Sequence, residues 1–104
     1  MTWLILFAAI AFEVAGTTSM KLSEGFTRLW PSVALFVCYA AAFALLTLTL
    51  RTMGVGLAYA IWSGVGTVAT AIIGYMIFQE PMGPMKIACI GLVTVGVVGL
   101  MLAE

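Results

Sequence analysis

The sequence predicts an all-α membrane protein of four transmembrane helices, and three observations lead there. The 104 residues are 64% hydrophobic and 8% charged, against roughly 45–50% apolar and about 25% charged in an ordinary soluble domain. A chain this short has too small an interior to hide that much apolar surface from water. The charges punctuate the sequence and leave four stretches near the roughly 17–25 residues that cross a hydrocarbon core. Helices are the default for such spans, because an isolated strand cannot satisfy its backbone in lipid.

The first span runs from Trp3 to Met20, with Glu13 as its one charge, and the second from Ser32 to Leu50, with none. The third, Val55 to Phe78, has none, and the fourth, Met85 to Leu102, carries Lys86 in its first turn. The connections 21–31, 51–54 and 79–84 each hold Gly or Pro, which are turn residues. Connections this short make neighbouring helices antiparallel. The first span is not a signal peptide by pattern: no basic residue precedes it and Glu13 interrupts it. The four helices are expected to form one transmembrane domain over residues 1–104, working in the bilayer or at its surface. Lys21, Arg28 and Lys86 fall on one membrane face and Arg51 on the other. By the positive-inside rule that bias specifies orientation weakly.

Composition also excludes. The net charge is zero and there is no histidine, so the clustered positive charge of a nucleic-acid footprint is missing. Cys38 and Cys89 lie in apolar runs, where cysteine behaves as a small hydrophobe. Neither a disulfide nor a metal site is expected. No nucleophile–base pair points to catalysis, so no enzyme and no cofactor are expected.

Glu13 lies ten residues after Trp3, about 15 Å into a core of about 30 Å. A charge there costs a few kcal/mol or more, and intramembrane acids usually face a bundle interior or a water-filled cavity. Ala9, Ile10, Gly16, Thr17 and Met20 share its helix face. Ala9 and Gly16 suit either close helix packing or room for a ligand, and Thr17 offers a hydroxyl.

Phe36, Tyr39, Phe43 and Thr47 form a stripe on the second span, and Tyr59, Trp62, Ser63 and Gly66 one on the third. Aromatic stripes commonly serve lipid contact or packing. These sit deeper than the interfacial belt where Trp and Tyr collect, although Tyr59 and Trp62 lie only one to two turns into their span. A buried carboxylate with ring faces near it suits an organic cation, through charge pairing and cation–π attraction. No cationic residue in the spans neutralises Glu13. Its counter-ion is then a proton or an incoming ligand, and a site holding one or the other couples their movements. The run Ser63-Gly64-Val65-Gly66 suits either a helix kink or tight packing of a neighbour. Cys89 and Gly96, seven apart on the fourth span, repeat one face without acid or aromatic, as an assembly helix would.

These residues strongly resemble the small multidrug resistance family of bacterial transporters. The resemblance covers nearly the whole chain and is carried by FEVAGTTSMK, SEGFTRLWPS and AYAIWSGVG. It implies a multi-pass protein of the bacterial inner membrane, working as an antiparallel homodimer of oppositely inserted subunits. It implies that Glu13 of each subunit binds proton and substrate in competition, driven by the proton gradient. It implies that Tyr59 and Trp62 line that site with Tyr39 and Phe43 near it, that Gly64 to Gly66 form a kink, and that the fourth helix holds the dimer. Guanidinium exporters of the family typically follow the acid with Trp, in a pattern like FEVxWA, where this chain has Gly16 and Thr17. That favours export of hydrophobic and quaternary ammonium cations, although FQEPMGP in the third loop resembles the guanidinium type. From another class, a structural or regulatory membrane subunit without transport stands as the alternative.

Overall fold

The computed structural model describes residues 1–103. Among them it has four helices long and apolar enough to cross a membrane: α1 Thr2–Leu22, α2 Leu29–Thr49, α3 Val55–Met76 and α4 Pro84–Ala103. Helices of 20 to 22 residues are about 30 Å long, the thickness of the hydrocarbon core.

The helix boundaries differ from the hydropathy reading at the first and third connections. α2 begins at Leu29 and takes in Trp30 and Pro31, since proline in a first turn gives up an amide that has no intrahelical partner anyway. α3 stops at Met76. Gln79 then adopts a left-handed φ of 56°, and the Glu80 amide donates to the Gly74 carbonyl at 3.0 Å. The chain thus folds back over the end of α3 before Pro84 opens α4, a position for which its fixed φ is suited. In the first connection, left-handed residues Glu24, Gly25 and Phe26 turn the chain. Buried Ser23 anchors the turn, donating to the Met20 carbonyl at 2.7 Å and accepting from the Phe26 amide at 3.2 Å.

Packing places the helices in the lateral order α2, α1, α3, α4: α1 touches both α2 and α3, and α4 touches α3. The Cα extents are 42 × 36 × 17 Å, so the molecule is a slab less than two helix diameters thick. Its interior is small. Leu6, Ile10, Val14, Met53, Ala58, Ile61 and Val97 form the core. Ala9 and Ala42 are fully buried, as expected where small residues let membrane helices approach closely. α4 adds only Val97 to the buried set.

The two ends of the slab are distinct. At one, the Thr2 and Thr52 hydroxyls pair at 2.6 Å, joining the start of α1 to the second connection. At the other, Lys21 and Glu80 line a common cavity, bringing the first and third connections together.

Candidate functional site

Two chains of contacts meet at Tyr39 of α2. The first is polar. Thr17, one turn beyond Glu13, donates its hydroxyl hydrogen to Glu13 Oε1 at 3.0 Å. The Tyr39 phenol lies 2.8 Å from the same hydroxyl. A threonine has one hydrogen to give, so Tyr39 is the donor in that contact. The series Tyr39 to Thr17 to Glu13 supports a carboxylate charge from α2 across to α1.

The second chain is aromatic. Tyr39 and Phe43 have ring centroids 6.3 Å apart, Phe43 and Trp62 5.9 Å, and Trp62 and Tyr59 5.7 Å, all tilted. Such spacings lie within the range of favourable aromatic pairs. The ladder carries ring faces from Tyr39 on α2, beside Thr17, to the N-terminal half of α3. Tyr59 is 60% exposed and Phe43 54%, so the rings lie along an open face of the slab. Trp62 Nε1 is buried and lacks a hydrogen-bond acceptor, which leaves it a donor in want of a partner.

Glu13 is half-buried and opens into a cavity of about 500 Å³. Thr17, Trp62, Ser63 and Gly66 also wall it. Gly66 leaves little spare room beside the acid: a Cβ at that position would stand 3.2 Å from Glu13 Oε2, so the carboxylate would have to shift by a few tenths of an ångström. Among the described residues, no Lys or Arg forms an ion pair with Glu13.

Several residues expected at the site prove to support it from behind. Ala9 and Ile10 are buried in helix packing and leave no room for a ligand. At Gly16 a Cβ would come within 2.7 Å of the Tyr39 ring, so the space beside this glycine is already filled. Its small size lets Tyr39 reach Thr17. The run Ser63 to Gly66 lies inside an uninterrupted helix, with Gly64 against the Val97 side chain of α4 and Gly66 against Glu13. Both glycines therefore answer to close neighbours in this structure. Cys89 is exposed on α4, and nothing lies within 4 Å of a Cβ built at Gly96.

Other lining residues escaped the sequence reading. Thr67, Thr70, Ala71, Glu80 and Lys86 share the Glu13 cavity. Ser63, Thr67 and Thr70 recur at four and three residues, a helix-face spacing that was legible. Glu80 and Lys86 arrive through the fold-back of the third connection, for which no periodic signal exists.

A model of the family described as "Small Multidrug Resistance protein" matches residues 1–93. The uncharacterized membrane protein YvaE of Bacillus subtilis is 51% identical over 104 residues, covering 100% of this chain and 87% of that protein. The multidrug transporter EmrE of Escherichia coli is 47% identical over 95 residues, covering 91% and 86%. The guanidinium exporter of Citrobacter freundii is 37% identical over 103 residues, covering 99% and 98%. With four membrane-spanning helices and these relatives along nearly its whole length, the chain belongs to the small multidrug resistance family, as a multi-pass protein of the bacterial inner membrane.

Proposed function

We propose that this protein is a proton-coupled antiporter that exports hydrophobic and quaternary ammonium cations, with proton and cation competing for Glu13. The observation that carries the reading is the unpaired carboxylate at mid-span, hydrogen-bonded by Thr17 and open to a cavity walled by Trp62. A carboxylate at that depth needs a counter-ion. A lipophilic cation supplies one and gains ring contact with Trp62. A proton supplies the other, and each displaces its rival. Loading by either neutralises the carboxylate that receives it, which lowers the cost of a charge in an apolar core.

The open face favours assembly. One slab 17 Å thick cannot enclose its own cavity. α4 exposes nearly all its length to whatever surrounds the subunit. A second copy, inserted the opposite way, would close the cavity and bring two Glu13 carboxylates together, and the weak bias of Lys21, Arg28 and Lys86 over Arg51 permits insertion both ways. Exchange between two arrangements of such a dimer would open each membrane face in turn.

Gly16 favours bulky cations over guanidinium. A tryptophan at this position, as guanidinium exporters typically carry, would occupy the place of the Tyr39 ring. The polar series to Glu13 would then be rebuilt. The greater identity to the relative named a multidrug transporter, 47% against 37%, points the same way.

In proteoliposomes with an imposed proton gradient, Glu13→Gln should abolish uptake of tetraphenylphosphonium, and undiminished uptake would sink the mechanism. Adding that cation to detergent-solubilised protein should release protons, whereas a structural subunit would give a silent titration. Running guanidinium beside tetraphenylphosphonium on a solid-supported membrane separates the two export readings.

A further inference from the structure

Glu80 has no part in the mechanism above, yet the fold spends an unusual local geometry on placing it. The left-handed Gln79 turns the chain back, and the Glu80 amide is tied to the Gly74 carbonyl at 3.0 Å. The carboxyl group is thereby laid over Gly74, where a Cβ would stand 3.0 Å from Glu80 Cδ. This repeats the arrangement one cavity-length deeper, where Gly66 makes room for Glu13. The two glycines are eight residues apart on α3, about 12 Å by helical rise. Thr67 and Thr70 lie between them and line the same cavity.

Glu80 also joins two cavities. It lines the one that holds Glu13, of about 500 Å³, and an adjoining one of about 370 Å³. Thr17 and Thr70 are the other residues common to both. Two lysine ammonium groups line these cavities. Lys21 lines the adjoining cavity, and Lys86 lines the Glu13 cavity while donating to the Pro81 carbonyl at 3.2 Å. Neither makes an ion pair with Glu80 among the described residues, so the Glu80 charge is not consumed by a direct contact. A cation in these joined cavities therefore has two positive charges and one negative charge around it besides Glu13.

From this juxtaposition we infer that Glu80 is an outer carboxylate of the transport pathway, one that offsets Lys21 and Lys86 so that cationic substrates can enter. The inference rests on the antiport reading of Glu13 and adds a residue to it. Glu80 sets the potential at the mouth and takes no part in proton exchange at Glu13. Charges lining a cleft change the local concentration and arrival rate of charged ligands, and salt weakens the effect.

The test is uptake of methyltriphenylphosphonium by proteoliposomes, over a range of concentrations, at low and at high ionic strength. Glu80→Gln keeps the size of the side chain and leaves the backbone bond to Gly74. At low salt it should raise KM about three- to tenfold with the maximal rate unchanged within about twofold. The rise should shrink at about 1 M salt, where screening acts over about 3 Å. Combining Glu80→Gln with Lys86→Gln should bring KM back toward the starting value, because the balance of charge is restored. A wild-type KM for Glu80→Gln at low salt overturns the inference. So does a defect that persists equally at high salt and in the double variant, since a packing fault would behave that way. Glu13→Gln measured alongside separates the two readings: if it transports like the unaltered chain, the antiport mechanism itself fails.

Discussion

The Tyr39 phenol oxygen lies 2.8 Å from the Thr17 hydroxyl, which in turn donates to Glu13 at 3.0 Å. Tyr39 belongs both to this polar series and to the aromatic ladder through Phe43 to Trp62. One side chain therefore links the charge of the site to its ring faces. Tyr39→Phe keeps the ring and removes the hydroxyl. A typical hydrogen bond contributes about 0.5–1.5 kcal/mol, so cation affinity should fall about two- to tenfold by calorimetry. Thr17→Val should produce a loss of the same order. The two changes should be less than additive, because Tyr39 reaches Glu13 only through Thr17; full additivity would refute the series.

Gly66 tests the fit between α3 and the acid. A Cβ in Gly66→Ala would stand 3.2 Å from Glu13 Oε2, so the carboxylate must retreat by a few tenths of an ångström. Overpacking of this kind costs about 1 kcal/mol or more, or at least about fivefold in cation Kd. Gly66→Val should remove binding while circular dichroism still reports helix. Wild-type binding by Gly66→Val would show that the carboxylate is not held at this position.

Trp62 contributes a ring face and an unpartnered Nε1. Trp62→Leu should lose a cation–π contribution of about 0.5–2 kcal/mol, read as a rise in the Kd of tetraphenylphosphonium. Trp62→Phe keeps a ring and should lose less. Equal losses in the two variants would mean that Nε1, and not the ring, makes the contact with the ligand.

Gly64 tests the seat of α4. A Cβ there would run into Val97, the one residue that α4 buries. Gly64→Ala should destabilise the folded protein by about 1–3 kcal/mol, seen as unfolding at lower denaturant. Val97→Ala removes the opposing methyl groups, so the double variant should recover part of the loss. No recovery would mean that Gly64 answers to some other neighbour.

Much of the scaffold was legible locally. Hydropathy places four spans because membrane thickness sets a length that a window of residues either meets or misses. The depth of Glu13 follows from counting along one helix, and Thr17 follows at the next turn. The stripes that hold Tyr39 and Phe43, and Tyr59 and Trp62, are periodic features of single helices, and they join across α2 and α3 in the structure. The roles of the small residues were not legible. Ala9 and Gly16 read equally as packing or as open space. Gly64 and Gly66 read equally as a kink or as tight packing, and each is matched to a neighbour on another helix. Glu80 lies in the third connection, where no periodic pattern places it, and the turn at Gln79 returns it to the cavity.

The sequence by itself determined the solvent, the number of spans and the depth of the one acid within them, because hydrophobicity and helical rise are properties of each segment alone. Only the tertiary structure decided what fills the space beside four of the glycines: Tyr39 at Gly16, Val97 at Gly64, Glu13 at Gly66 and Glu80 at Gly74. That choice depends on how each helix is rotated and on the lateral order α2, α1, α3, α4. Both are set by side-chain packing between segments distant in sequence, and no local pattern encodes them.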